Sequence, residues 1–123
     1  MFIASKPPIL IVDDDKSILN IFTKIFQRKG YFVTVAEKGQ EAIEKIGLGD
    51  YDIAFIDLSL PDMEGDTLFP LIKNSSPKTL KIMLTGKTWL QTSIEGADVF
   101  LEKPINLEKL LSISNTRLKN REI

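Results

Sequence analysis

Four short strand-like runs in this sequence each end beside residues that could do chemistry. The runs and their neighbours are Ile9 to Val12 with Asp13, Asp14 and Asp15, Asp52 to Ile56 with Asp57, Leu80 to Leu84 with Thr85, and Val99 to Leu101 with Lys103. In a parallel α/β sheet the carboxyl ends of the strands lie on one edge, where ligands bind. Carboxylates, a hydroxyl and an ammonium would therefore converge, and such a set suits a hard divalent cation and a phosphoryl group.

Asp57 is the central candidate because it closes a strand-like run and is followed by the proline-marked loop Leu58 to Gly65. An isolated aspartate at this position would be explained as a strand-ending cap. The polar residues at the other strand ends favour a reactive role instead. Asp15 is the opposite case, because an N-cap role at the next helix explains it fully.

Composition and charge exclude several functional classes. The 123 residues suit one domain, and the net charge of −1 argues against a dedicated nucleic-acid surface. No apolar run approaches the length of a membrane span, and residues 1–8 do not resemble a signal peptide. The absence of cysteine and histidine removes disulfides, thiol nucleophiles, histidine-based triads and imidazole ligands. We expect a cytoplasmic protein with no direct contact to nucleic acid or membrane.

Apolar periodicity predicts strands that alternate with helices. The remaining strand is Tyr31 to Ala36. The helices are a first one that begins after Asp15 and ends before Gly30, then Gly39 to Ile46, Gly65 to Lys73 and a last one after Asn106. Pro70 suits the third helix only if that helix starts late, with Pro70 in its first turn. The predicted inward residues of the first, third and last helices are Ile18, Ile21, Phe22, Ile25 and Phe26, then Leu68, Leu71 and Ile72, then Leu107, Leu110, Leu111 and Leu118. Alternation of this kind predicts a parallel sheet covered on both faces.

In these residues the chain resembles the receiver domain of two-component response regulators. The resemblance covers about residues 8–118 of a single domain, 1–123, in which 119–123 are a tail or the start of a linker. It implies a flavodoxin-like, doubly wound (βα)5 fold with a five-stranded parallel sheet in the order 2-1-3-4-5. The length is similar to that of chemotaxis and sporulation regulators without an output domain; the alternative is that the final turn is a linker to a domain absent from this chain.

The resemblance also implies a metal site and a phosphoacceptor. Asp57 would accept a phosphoryl group from a sensor histidine kinase. Mg²⁺, or another divalent cation such as Mn²⁺, would be bound directly by Asp14, Asp57 and the backbone carbonyl of Ser59. Asp13 would hold it through a water molecule.

Three further residues take roles by the same resemblance. Thr85 would hydrogen-bond the phosphoryl group, and Lys103 would pair first with Asp57 and then with the phosphoryl group. The Lys103–Pro104 bond is expected to be cis, an isomer that proline makes accessible. Phe100 stands where the family has an aromatic switch residue, although plain core packing explains it equally well.

One departure from the family lies between Thr85 and Lys103, which are 18 residues apart. This spacing is roughly one helical turn, or ~4 residues, shorter than in the family. A shortened or irregular fourth helix is therefore expected over Lys87 to Glu95. In the family, the fourth helix, fifth strand and fifth helix form the output surface and a possible homodimer interface. Trp89, in this segment, would pack internally or anchor a partner.

The leading hypothesis is a phosphorylation-controlled signalling switch, with chemotaxis, phosphorelay or transcription as outputs. Such a domain catalyses its own phosphorylation and slow dephosphorylation and is not a turnover enzyme. The alternative is a pseudo-receiver, a phosphorylation-independent interaction module, which the short fourth helix favours. A haloacid dehalogenase-type phosphatase is disfavoured, because Ser59 stands where that family needs a second aspartate. The sequence identifies neither the kinase nor the downstream target.

Overall fold

A computed structural model of the chain describes residues 7–86 and 95–121. Its centre is a parallel sheet in the order β2-β1-β3-β4-β5. The strands are β1 (Pro8–Val12), β2 (Phe32–Ala36), β3 (Ile53–Asp57), β4 (Leu80–Thr85) and β5 (Val99–Glu102). The predicted flavodoxin-like sheet and its strand order are confirmed.

The described helices lie between these strands and after the last one. They are α1 (Lys16–Arg28), α2 (Gly39–Ile46), a 3₁₀ turn (Gly65–Leu68) that leads into α3 (Phe69–Ser75), and α4 (Leu107–Arg121). The predicted irregular helix after β4, including Trp89, falls largely on residues 87–94, outside the described ranges. Within those ranges, no helix combines the length and hydrophobicity needed to cross a membrane.

The sheet is buried on both faces because its central strands are apolar at nearly every position. Successive side chains of a strand point to opposite faces. Leu10 and Ile56 accordingly join a core layer that includes residues of α2 and α3. Ile9 and Phe55 join the layer formed with α1 and α4. The two layers together cover both faces of the sheet beneath its carboxyl edge.

The ends of α1 follow the local sequence. The Asp15 side chain accepts the backbone N–H of Ser17 at 2.9 Å, which caps the first turn. Gly30 follows the last turn with φ +90°, a backbone conformation that favours glycine. Both features agree with the prediction.

Proline delays the start of α3. Residues Gly65–Leu68 form the 3₁₀ turn, and Pro70 lies in the first turn of the α-helix. An N–H at this place would have no partner within the helix, so proline costs little there. The predicted late start is confirmed.

The predicted inward faces of three helices are partly wrong. Ile21, Leu71 and Leu107 are 50%, 38% and 45% exposed. Ile21 and Leu107 line an open cleft between α1 and the start of α4, beside Lys103. Leu71 is exposed because Phe69 and Ile72 supply the buried contacts of the short α3. Helix periodicity locates an apolar face but not the width of the groove that receives it.

Candidate functional site

The carboxyl edge of the sheet carries the polar residues predicted for it. Asp13 follows β1, Asp57 ends β3, Thr85 ends β4, and Lys103 follows β5. Because these strands are parallel neighbours, their ends meet along one edge. The sequence-based prediction of convergence is confirmed for all four.

Backbone hydrogen bonds extend the sheet past the strand ends and hold these residues in place. The Asp13 N–H donates to the Ala36 carbonyl at 3.1 Å, and the Lys103 N–H donates to the Thr85 carbonyl at 2.8 Å. The Lys103–Pro104 peptide bond is cis, as expected. These side chains therefore stand on backbone that is fixed by the sheet.

Three carboxylates form a compact cluster. Asp13, Asp14 and Asp57 each offer an oxygen, and these oxygens lie within 4.8 Å of one another. Asp13 is fully buried, Asp57 is 6% exposed, and Asp14 faces solvent. Hard oxygen donors with one open side suit Mg²⁺, which keeps several of its waters in protein sites. The residues present therefore fit a divalent cation.

Lys103 supplies positive charge to this cluster. Its Nζ lies 2.9 Å from Asp13 Oδ2 and 3.5 Å from Asp57 Oδ2. Burial alone would lower the pKa of Lys103, but the hydrogen bonds and negative charges of Asp13 and Asp57 raise it above its ordinary value. The ammonium consequently stays charged between the two carboxylates.

The electrostatic environment of Asp57 opposes its ionisation. Burial and the charge of Asp13 raise the pKa of Asp57 from 3.8 to about 6, with a smaller contribution from Asp14. Lys103 and the Ser59 N–H, which donates to Asp57 Oδ1 at 3.4 Å, act in the opposite direction. A carboxylate in this position gains from any added cation.

The loop after Asp57 folds back on itself around Ser59. The Gly65 N–H donates to the Leu58 carbonyl at 2.6 Å, and the Leu60 N–H donates to the Met63 carbonyl at 3.2 Å. Ser59 and Glu64 face each other in the resulting antiparallel bridge. The bridge uses the carbonyl of Leu58 and the N–H of Leu60, so the Ser59 carbonyl takes no part in it.

Thr85 and Phe100 lie on neighbouring strands. Thr85 is 2% exposed at the end of β4. Phe100, in β5, pairs in register with Met83 of β4. Its half-buried ring packs against the core layer that includes α2 and α3 residues. Strand β4 therefore links the two residues, because it ends in Thr85 and pairs with Phe100 at Met83.

Sequence reasoning missed one residue of the loop, Asp62. Its carboxylate accepts the N–H of Gly39 at 2.7 Å and that of Gln40 at 2.9 Å, at the start of α2. These bonds hold the pKa of Asp62 below its usual value. A signal was available, because α2 begins after Lys38, which has no side chain able to cap a helix N-terminus.

Comparison with known proteins assigns this chain to one family. Residues 9–115 match the family described as the response regulator receiver domain. The chain belongs to this family, whose members are the receiver domains of two-component response regulators.

Individual relatives support the assignment. The chain is 30% identical over 118 residues to the transcriptional regulatory protein DltR of Streptococcus agalactiae, covering 93% of this chain and 52% of DltR. It thus spans about half the length of such curated relatives. A CheY-like receiver domain structure from Methanospirillum hungatei superposes with a TM-score of 0.87 at 37% identity, covering 96% of this chain and 98% of that one.

A third similar structure carries ligands. It is a response regulator from Burkholderia pseudomallei with a phosphorylated aspartic acid, a calcium ion and citrate. It is 26% identical to this chain, with a TM-score of 0.78, and covers 95% of this chain and 73% of that one.

Proposed function

We propose that Asp57 accepts a phosphoryl group from the phosphohistidine of a sensor histidine kinase and that this transfer controls binding to a downstream partner. The observation that carries the proposal is the assembled edge of the sheet. There a buried Asp57 lies beside Asp13 and within 3.5 Å of the Lys103 ammonium. The response regulator from Burkholderia pseudomallei carries a phosphorylated aspartic acid, which supports an aspartate as the acceptor.

The proposed cation ligands are the side chains of Asp14 and Asp57 and the Ser59 carbonyl, with Asp13 acting through a water molecule. Mg²⁺ or Mn²⁺ bound there would neutralise negative charge on the carboxylates and on the incoming phosphoryl group. The compact three-carboxylate cluster supports this assignment.

The residues of the chain supply the remaining parts of the reaction. An Asp57 oxygen attacks the phosphorus atom, a P–O bond forms, and the P–N bond to the kinase histidine breaks, leaving the electron pair on that nitrogen. Lys103 can pair with Asp57 before transfer and with the phosphoryl group after it, because its Nζ lies between Asp13 and Asp57. Transfer of this kind depends mainly on positioning and charge stabilisation. The chain thus modifies itself and is not a turnover enzyme; slow self-dephosphorylation follows from the same site.

The switch is proposed to run through β4. The phosphoryl group brings roughly twice the charge of the carboxylate that it replaces. Thr85 hydrogen-bonds it, and Phe100 moves into the space that Thr85 leaves. The position of Phe100, half-buried and paired with β4, supports a packing switch without a hydroxyl. We expect the phosphoryl transfer to take place in the cytoplasm.

The proposal is tested by intact mass after brief incubation with acetyl phosphate and Mg²⁺. Wild type is expected to gain one phosphoryl group, and Asp57→Asn to gain none. Asp50→Asn, a change at an exposed aspartate in a loop, is the matched control and should be modified like wild type. Omission of Mg²⁺ should abolish the gain.

No added mass on folded wild-type protein, in an assay fast enough to catch a labile acyl phosphate, would contradict the proposal. That result would favour the pseudo-receiver alternative. The next measurement would then be partner binding by wild type and by Asp57→Asn, which a pseudo-receiver should show to equal extents.

A further inference from the structure

The start of α2 is capped by a residue from a different part of the chain. Helix α2 begins at Gly39, and the preceding Lys38 provides no side-chain cap. Asp62, more than twenty positions later, binds both of the first amides, Gly39 and Gln40, at 2.7 and 2.9 Å. A helix N-terminus carries partial positive charge and unpaired N–H groups, so a carboxylate is favoured there.

The next residue strengthens the same contact. A Cβ added at Gly39 would lie 2.6 Å or less from the Met63 side chain, so Met63 packs directly over this glycine. Asp62 and Met63 together dock the loop on the first turn of α2 through polar bonds and packing.

The docked residues are connected to Ser59 and Asp57 through hydrogen bonds within the loop. The Met63 carbonyl accepts the Leu60 N–H, which closes the bridge that places Ser59 opposite Glu64. Ser59 in turn donates its N–H to Asp57 Oδ1. A continuous path of hydrogen bonds and short chain segments therefore runs from the α2 amides to the phosphoacceptor.

We propose that Asp62 is a positioning residue for the cation and phosphoryl site: by binding the α2 N-terminus it holds the loop that presents the Ser59 carbonyl. This inference rests on the proposed function. Asp62 touches neither the cation nor the phosphoryl group. Its part is to limit the conformations of the loop, so that a ligand carbonyl is in place before the cation arrives.

The test is the affinity for Mn²⁺, followed by electron paramagnetic resonance of the free ion. Removal of groups that orient metal ligands typically weakens metal binding 10- to 100-fold. Because Asp62 acts on a single backbone ligand, we expect Asp62→Ala to weaken Mn²⁺ binding by about tenfold, at the low end of that range. Asp62→Asn retains one acceptor and should fall between wild type and Asp62→Ala.

Glu41→Ala is the matched control. Glu41 also lies in the first turn of α2, and its carboxylate accepts a backbone N–H, that of Glu37, at 2.8 Å. It does not contact the loop through any hydrogen bond of the described residues. This variant should bind Mn²⁺ like wild type, with α2 intact by circular dichroism.

A second readout follows from reciprocity, since coupled sites affect each other equally. In wild type, Mg²⁺ should slow the exchange of the Gly39 and Gln40 amides with solvent, as measured by NMR. In Asp62→Ala this slowing should be lost. A merely structural cap would not make these amides sensitive to the cation.

The outcomes separate this inference from the function on which it rests. If wild type binds Mn²⁺ and folded Asp62→Ala binds it with the same affinity, the positioning role alone is overturned. The same conclusion follows if Glu41→Ala weakens Mn²⁺ binding as much as Asp62→Ala does. Failure of wild type to bind Mn²⁺ or to be phosphorylated would overturn the proposed function and this inference together.

Discussion

Asp57 is held in an environment that disfavours its own charge. It is buried next to Asp13, and Lys103 is shared between the two carboxylates. Ionised Asp57 lowers the free energy of unfolding, and a cation bound beside it would offset this loss. The same arrangement that weakens the cation-free protein would therefore favour the proposed cation binding and phosphoryl transfer.

Asp57→Asn should stabilise the protein in the absence of divalent cations. Burial and Asp13 raise the pKa of Asp57 from 3.8 to about 6. A carboxyl with a raised folded-state pKa contributes stability that is complete below its unfolded pKa and lost as pH rises through the folded pKa. At about pH 8, removal of the charge should raise the free energy of unfolding by about 1 to 3 kcal/mol, measured by urea unfolding in EDTA.

The pH dependence distinguishes this cause from a change in packing. As pH falls through about 6 towards 3.8, wild-type Asp57 takes up a proton, and the difference between the two proteins should shrink. Asp50→Asn, at an exposed position, should show no such convergence. A difference independent of pH would contradict the electrostatic explanation.

At the scale of elements, the loop from residue 58 to 65 depends on a close approach of two backbone segments. Gly65 donates to the Leu58 carbonyl and begins the 3₁₀ turn. A Cβ at this position would collide with the Asp57 carbonyl oxygen and lie 2.9 Å from Ile56 Cγ2. Backbone atoms cannot move away as a flexible side chain can, so the position requires glycine.

Gly65→Ala is accordingly expected to destabilise the fold by about 1 to 3 kcal/mol, in the range of overpacked sites. It should also slow phosphorylation by acetyl phosphate, because the displaced backbone carries Asp57. Gly49→Ala is the control: a Cβ there meets nothing within 4 Å, and its effect should stay within about 0.5 kcal/mol. Equal stability of the two variants in urea would show that the loop can move away from the added methyl group.

At the scale of the whole molecule, the aromatic core behind the site fixes the sheet against α1. The Phe55 ring of β3 lies 5.7 Å from Phe22 and 5.5 Å from Phe26, between ring centroids. Edge-to-face and offset contacts of this kind add to the free energy of burial. Asp57 is two residues further along the same strand, so the packing of Phe55 supports its position.

Phe55→Ala should lower the free energy of unfolding by about 3 to 5 kcal/mol, as expected for a large buried ring. Phe32→Ala, a change of the same chemistry at a side chain that is 60% exposed, should cost about 0.5 kcal/mol or less. Urea unfolding monitored by circular dichroism measures both. Similar losses in the two variants would mean that burial is not the source of the stabilisation.

Much of the architecture could be predicted from local patterns. The all-apolar runs of β1 and β3 predict buried strands, and Asp15, Gly30 and Pro70 predict the ends of helices, because caps and backbone limits act within a few residues. Parallel alternation then predicts that Asp13, Asp57, Thr85 and Lys103 share one edge.

Other features depend on contacts between distant parts of the chain. Exposure of Ile21 and Leu107 is decided by how far α1 and α4 stand apart, and periodicity carries no information about that distance. The capping of α2 by Asp62 joins segments more than twenty residues apart, and the raised pKa of Asp57 requires burial beside Asp13. The sequence by itself thus determined the elements and the residues at their ends, since these follow from nearest neighbours. Only the tertiary structure decided the contacts that alternation does not predict, such as that of Asp62 with α2, and how strongly the charges at the sheet edge interact, because burial and distance are properties of the packed chain.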